Sequence, residues 1–393
     1  MSNIGIEEQI WSHQKEIISF TQELVATPSV GGNETEVGKI IAKKLLEYGI
    51  KSQFLGENKK RFNLFSGIIG QQKGKILILN GHLDTVPAGM ATLWHNPPFS
   101  GKVVGNRLYG RGAADMKGGL AAIVLTAIII KKTNLKLNGS LSLVFTANEE
   151  NPVKEETGIQ YLIKKKLIKG SACVVAEPKE NYINIGSRGV YRFLLRIKGR
   201  AAHTGRISQP GVNAVLRMAK VLLTLDKCQL SFVPNKFFPP PKISAGTVIS
   251  GGVAPDIVPD RCESITDIRL SFGQTKEGVV KEINHLLAEL RKTDRDLRIE
   301  TKEIFYIPPA IISQNQPIVK LLKKATQEVL GFAPGLKVSG PAGDNNFLIK
   351  AGIPTVTFGP KGENFHAEDE FVFLDRIFKT SHIFVNLVTA FLG

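Results

Sequence analysis

Cysteine is scarce in this 393-residue chain. Cys173, Cys228 and Cys262 are the only three, far apart and without a Cys-x-x-Cys pair. That excludes a disulfide framework and a thiolate zinc site, and it fits a reducing compartment. Long apolar runs are missing too. The longest, Leu120 to Ile130, has eleven residues against the roughly 18 that a membrane span needs, and reads as a buried helix. The N-terminal Met-Ser-Asn-Ile-Gly has neither the basic nor the apolar region of a signal peptide. The expectation is a soluble, cytoplasmic protein with no membrane association. Negative charge is also in short supply, with 35 acidic residues against 51 basic ones and a net charge of +16. The basic residues are spread out, in short knots such as Lys131-Lys132 and Lys164-Lys165-Lys166. Zinc-finger spacing and aromatic-studded strands are absent, so nucleic-acid binding is not expected. The excess reads as a solvated basic surface that draws in anionic small molecules.

What is present is an average globular composition, 42% hydrophobic and 22% charged. The length suggests two domains at roughly 100–200 residues each. Helical apolar spacing runs from Glu7 to Ala26 and, after Thr27-Pro28-Ser29, from Glu34 to Tyr48. Apolar runs of strand length come next at Lys75–Asn80, Ser140–Ala147 and Ala172–Ala176, with a helix between Gly118-Gly119 and Lys131-Lys132. Strands alternating with helices indicate an α/β layer structure. From about residue 185 the order becomes β-α-β-β-α-β, that of a ferredoxin-like sandwich. After Pro308-Pro309 the helix/strand alternation resumes. The expected architecture is one α/β domain built from both chain ends (1–184 and 301–393) around an inserted α+β domain (185–300).

Chemistry concentrates where strands end. Asn80-Gly-His82-Leu-Asp84 comes directly after an apolar strand, putting His82 and Asp84 where open α/β sheets build their sites. Tyr109-Gly-Arg-Gly-Ala-Ala-Asp115-Met-Lys-Gly-Gly119 is glycine-rich but centred on an acid, which repels phosphate unless a metal intervenes; taken alone, Asp115 reads equally as a helix N-cap. Glu149 and Glu150 are neighbouring acids after a strand. Glu177 closes another strand, and His366 comes after the buried run Pro354–Phe358. Each is ambiguous alone. Together they form an N/O donor set suited to two zinc-like ions bridged by one carboxylate, with a spare Glu for proton transfer. His13, His95, His285 and His382 read as ordinary surface or core residues.

These motifs, in this order from Thr27-Pro-Ser29 to His366, resemble the zinc-dependent amidohydrolase/peptidase family of acetylornithine deacetylase, succinyl-diaminopimelate desuccinylase, aminoacylase and glutamate carboxypeptidase. The resemblance implies a discontinuous dizinc aminopeptidase-like catalytic domain with an inserted ferredoxin-like dimerisation domain, and hence a homodimer. It also implies two Zn ions, with Co or Mn as substitutes. His82 and Glu177 would bind one ion, Glu150 and His366 the other, and Asp115 both. Asp84 would orient His82, and Glu149 would be the general base. His203 would hold the oxyanion, reaching a partner subunit's site; by itself it reads as a turn histidine. Arg269 would grip a small-molecule substrate's carboxylate, and Asp344 and Asn345 match a substrate-side loop. Arg188 reads either as a second carboxylate partner or as a surface residue at a domain joint.

The chain also departs from the family pattern. Asp256 stands where relatives often have Asn, Ala342 and Gly343 where they have Ser or Thr, and Asn148 where they have an acid. Asn151 to Glu156 lengthens the loop behind the paired acids. The implied activity is hydrolysis of an amide next to a free carboxylate, by an N-acyl amino acid deacylase or else a dipeptidase or carboxypeptidase. A catalytically silent metal-binding homologue is the reading from another class, and such a protein would be expected to lack Glu149 or a ligand.

Overall fold

The computed structural model describes residues 3–58, 61–150, 156–206, 208 and 210–393. The chain divides into two compact units. The first comprises the N-terminal part to Gly186, Ile311–Lys337 and Gly343–Gly393; the second comprises Ser187–Ala310 and Val338–Ala342. The expected boundary at 300 falls inside the strand Arg298–Ile307, whose ladder partner Gly189–Lys198 lies in the inserted unit. The insertion therefore runs to 310.

The first unit is built on a sheet whose strands run in the order Ser52–Asn58, Arg61–Ile69, Gly139–Thr146, Lys75–His82, Ala172–Val175, Thr355–Thr357, Tyr182–Ser187. The four from Gly139–Thr146 to Thr355–Thr357 are mutually parallel, so their carboxyl ends lie side by side along one edge. Central parallel strands are covered on both faces and carry near-continuous apolar runs, as Ile76 to Leu79 and Ala172 to Val175 do. The two antiparallel strands at the other end escaped the sequence reading because Gly56, Asn63 and Ser66 break their apolar pattern.

One side of the sheet is packed by the helix Gly118–Lys132 together with the C-terminal helix Leu374–Leu392 and the N-terminal helices. Gly118 to Ile130 are buried without exception, each Leu or Ile contributing about 1.5–3 kcal/mol by its burial. The stretch Ala113–Lys132, 20 residues, is long and apolar enough by length and composition to cross a membrane, but 94% of its apolar window is buried inside the protein. The longest apolar run is Leu120 to Ile130, and it lies in the buried helix expected of it. Asp115 (φ −117°, ψ 92°) and Met116 (φ −135°, ψ 33°) leave helical geometry, however, so the regular helix spans only 15 residues. At Gly119 a β-carbon would fall 2.0 Å from the carbonyl oxygen of Ala176. Only glycine lets this helix sit against the end of the strand that delivers Glu177.

A second correction concerns the N-terminus. The single helix expected from Glu7 to Ala26 is two, Asn3–Ser12 and Gln14–Ala26. Ser12 Oγ donates to Gln9 O at 2.8 Å and His13 Nδ1 lies 2.7 Å from the same oxygen. Such local side-chain bonds compete with the helical ladder and end it there.

In the second unit, Gly189–Lys198, Lys242–Gly251, Arg261–Leu270 and Arg298–Ile307 form an antiparallel sheet in which Gly189–Lys198 and Arg261–Leu270 are central. The helices Ala214–Asp226 and Lys276–Thr293 bury Met218, Val221, Val279 and Ile283 with Phe193, Leu195 and Ile268. The second unit is a ferredoxin-like α+β sandwich.

A third, small sheet fixes the site. It pairs Phe371–Phe373 with Arg107–Tyr109 and with Gly362–Glu363. The loop holding His366 is thereby set beside the glycine-rich loop holding Asp115.

Candidate metal centre

His82 is the last residue of its strand, buried at 3% exposure. Its Nδ1 lies 2.9 Å from the carbonyl oxygen of Asp84 and its Nε2 lies 3.2 Å from Asp115 Oδ1. With Nδ1 committed to a carbonyl, Nε2 is the nitrogen presented to the site. Asp115 Oδ2 lies 3.5 Å from His366 Nε2, which is itself 2.9 Å from Glu150 Oε1. One carboxylate thus stands between two imidazoles, one on each oxygen. As an N-cap it does nothing: no side chain caps the helix Gly118–Lys132.

Asp84 differs from its expected role. Its backbone carbonyl holds the His82 ring, whereas its carboxylate lies 3.8 Å from Nδ1. Instead, Asp84 Oδ1 accepts the N–H of Glu149 at 3.1 Å and Oδ2 that of Glu150 at 2.9 Å. The buried Asp84 therefore anchors the turn that presents both acids. Asn148 enters that turn with φ 60°, a left-handed conformation that a short Asn side chain tolerates. Residues 151–155, most of the lengthened loop, lie outside the described residues.

The ligand atoms gather in two overlapping groups, His82–Glu149–Glu150 and Asp115–Glu150–His366, each within 4.8 Å. The second matches the expected set. In the first, Glu149 stands where Glu177 was expected. Glu177 shares the same space electrostatically, its charge acting on Asp115, His82 and Glu150.

Burial penalises charge on every one of these acids. It pushes Glu149 well above the usual carboxyl range; His82 opposes the shift, while Glu150, Glu177 and Asp344 add to it. Burial also raises Glu150, takes Glu177 up to about 7, and takes Asp344 up to about 6. Asp115 is the exception, because hydrogen bonds from His366 and His82 overcome its burial and hold it far below the usual range. Those bonds act in return on the rings. Asp115 and Glu150 lift His366 to about 10; His82 stays well above its ordinary value although burial opposes it. So many acids, buried or half-buried around two imidazoles, need positive charge from protons or cations. Imidazole and carboxylate donors without a thiolate suit divalent zinc-like ions.

Other expected site residues divide between the units. Asp344 opens the helix Asp344–Lys350, buried at 3% exposure, and accepts from Thr146 Oγ1 at 2.6 Å; the neighbouring Asn345 is also buried. His203, Arg269 and Arg188 belong to the second unit. His203 Nδ1 accepts the N–H of Gly205 at 3.0 Å, and its loop pairs with Ile257 beside Asp256. Arg269 Nε lies 2.9 Å from Asp267 Oδ1, while Oδ2 takes Arg192 at 2.7 Å. Arg188 donates to the carbonyls of Arg269 at 2.7 Å and Pro240 at 2.9 Å, tying two chain segments together.

Sequence reasoning missed Glu370. It is fully buried, and Oε2 accepts from Arg111 Nη1 at 2.6 Å and Gly112 N at 3.0 Å. Oε1 accepts from the backbone N–H groups of Ala114 and Asp115, both at 3.0 Å. Four residues after His366, it ties that loop to the one carrying Asp115. As the last of Glu368-Asp369-Glu370 it reads as part of a solvated acidic run. The one local signal was the apolar strand Phe371–Phe373 directly behind it.

The model of peptidase family M20/M25/M40 matches residues 78–390. A succinyl-diaminopimelate desuccinylase from Thioalkalivibrio sulfidiphilus is 27% identical over 380 residues, 94% of this chain and 97% of that one. Among solved structures, an M20 family metallo-carboxypeptidase from Sulfolobus solfataricus superposes with a TM-score of 0.79 at 20% identity, over 95% of this chain and 98% of that one. A dinuclear metal-binding M20 peptidase from Bacillus subtilis gives 0.74 at 19% identity, over 97% and 99%. The family match takes in most of all three segments of the first unit and the whole inserted unit, and the chain belongs to peptidase family M20/M25/M40, as a hydrolase of amide bonds.

Proposed function

We propose that the protein is a zinc-dependent deacylase of N-acyl amino acids, cutting an amide bond next to a free carboxylate. The carrying observation is Asp115, set between His82 and His366 with an oxygen toward each, amid the half-buried acids Glu149, Glu150 and Glu177. That donor set fits two divalent cations, zinc or the substitutes cobalt and manganese. His82, Asp115 and Glu177 would hold one, and Asp115, Glu150 and His366 the other. Bound there, they supply the Lewis acidity that makes a water acidic and polarises the scissile carbonyl.

The chain's own residues do the rest. Glu149 takes the proton of the attacking water and returns it to the leaving amine. His203 donates to the developing oxyanion. Arg269 grips the substrate carboxylate with its planar fork, Arg188 serves a second carboxylate, and Asp344 and Asn345 shape the substrate side. The inserted unit supports a homodimer, in which His203 of one subunit serves the other. Its outer strand Lys242–Gly251 is an unpaired edge among the described residues, with Val248 and Ile249 exposed, and Leu216 and Leu223 are exposed on the helix Ala214–Asp226. A compartment with reducing thiols, the cytoplasm, suits the three free cysteines.

The relative that is a succinyl-diaminopimelate desuccinylase supports the deacylase reading; the family's peptidases support a dipeptidase or carboxypeptidase as the second. A turnover screen decides between them, run on zinc-loaded and chelated protein with N-acetylornithine, N-succinyl-diaminopimelate, other N-acyl amino acids and dipeptides. Metal-dependent hydrolysis of an acyl amino acid, with dipeptides untouched, is the expected result. Cleavage of dipeptides alone would replace it with the peptidase reading.

The cation also sets a pH dependence. Glu177, raised from 4.5 to about 7, stabilises the cation-free fold fully below pH 4.5 and loses that contribution as pH rises through about 7. His366, raised from 6.5 to about 10, does so fully below 6.5 and loses it through about 10. Metal binding demands the deprotonated forms. The gap between the melting temperatures of zinc-loaded and chelated protein should therefore widen steadily between about pH 5.5 and pH 8.5. A gap that stays constant or narrows would show that these groups do not exchange protons for the metal.

A further inference from the structure

His366 lies in the loop of a hairpin whose strands pair at their base, Gly362 with Val372 and Glu363 with Phe371. Residues 363–368 are exposed without exception, so core packing does not set the ring. Three residues of the loop are left-handed: Asn364 at φ 58°, His366 at φ 65° and Asp369 at φ 52°. Asn and Asp tolerate that region better than most residues, but three in six positions persist only where the surroundings impose them. Inside the loop, Ala367 N–H donates to Asn364 O at 3.0 Å and Asn364 Nδ2 donates to Asp369 O at 3.3 Å. Beyond the hairpin, and among the described residues, the only hydrogen-bonding partners of 363–368 are Glu150 and Asp115, both on His366.

Two neighbouring acids tie the loop down. Glu370 grips the segment carrying Asp115. Asp369 grips a different one. Its Oδ1 accepts the backbone N–H groups of His95 at 3.0 Å and Asn96 at 3.3 Å, and its Oδ2 lies 2.5 Å from His95 Nδ1. Those N–H groups belong to a held segment. Trp94 is buried, its Nε1 donating to Ala88 O at 2.9 Å, and Pro98 O accepts the N–H of Arg111 at 2.7 Å.

We propose that Asp369 is a positioning residue for the metal centre, holding the His366 loop in its left-handed form through the main chain of His95 and Asn96. This rests on the proposed ligand set, in which His366 serves one ion and Asp115 serves both. Loss of the Asp369 clamp therefore weakens one ion selectively.

The test is calorimetric zinc titration of the chelated full chain, with zinc counted after dialysis, for the wild type, Asp369→Ala, Asp369→Asn and His366→Ala. The wild type should take two ions and His366→Ala one. In Asp369→Ala one ion should bind within about twofold of wild type and the other about 10–100-fold more weakly. Asp369→Asn keeps an oxygen for both N–H groups and should recover most of that loss, which a general loss of stability would not allow. Wild-type affinity for both ions in Asp369→Ala, while His366→Ala holds one, would overturn the role of Asp369. So would equal weakening of both ions, or no recovery in Asp369→Asn, since the loss would then lie in the fold and not in the clamp. Two ions still held by His366→Ala, or none by the wild type, would instead remove the ligand set beneath the proposal.

Discussion

Glu149→Gln should reduce kcat by roughly 10²–10⁴-fold and leave metal content near wild type. The expectation comes from what surrounds the side chain. Its carboxylate is buried among Glu150, Glu177 and Asp344, which together with burial push its proton affinity well up, while His82 pulls the other way. Raised in this way, the carboxylate takes up a proton more readily than a free one, which is what an amide hydrolase asks of its base. Its backbone N–H is fixed to Asp84 Oδ1 at 3.1 Å, so the substitution leaves the turn in place. Metal analysis beside the rate is the informative half. Glu149 falls within 4.8 Å of His82 and Glu150, so a ligand role is sterically open to it. Metal loss in Glu149→Gln equal to that in Glu150→Gln would assign Glu149 to the metal and leave the proton to another group.

Much of the site was legible because it obeys one rule. A buried parallel strand reads as an apolar run, and the residues just past its carboxyl end lie at the sheet edge where sites form. His82, Glu149, Glu150, Glu177 and His366 each come after such a run, and adjacent strands bring them together. Asp115 breaks the rule, since it comes after a short strand of the small third sheet; only the acid in a glycine-rich loop marked it. The hidden features depend on three-dimensional partners. The Asp84 carboxylate holds the main chain of Glu149 and Glu150, 65 and 66 positions away, and no local spacing predicts that. The break at His13 is a hydrogen-bond choice between a side chain and a ladder, for which apolar spacing carries no signal.

Glu370→Gln should both destabilise the fold and weaken metal binding, although Glu370 is outside the proposed ligand set. Its two oxygens accept four N–H groups from Arg111, Gly112, Ala114 and Asp115. Glutamine keeps the shape but turns one acceptor into a donor, facing donors. At the Arg111 end that leaves a guanidinium at 3% exposure without its carboxylate; breaking a buried ion pair in this way costs about 3–5 kcal/mol. At the Asp115 end it frees the loop that sets one carboxylate between two imidazoles, and loss of such outer support lowers metal affinity by about 10–100-fold. Melting temperature and zinc titration, measured on the same preparation, separate the two effects. Glu370→Asp keeps the charge but falls short of the donors, so it should retain more stability than Glu370→Gln while still binding zinc more weakly than wild type. A folded Glu370→Gln with wild-type zinc affinity would mean that Asp115 is held by its imidazole partners alone, and that the tie between the two loops serves only the fold.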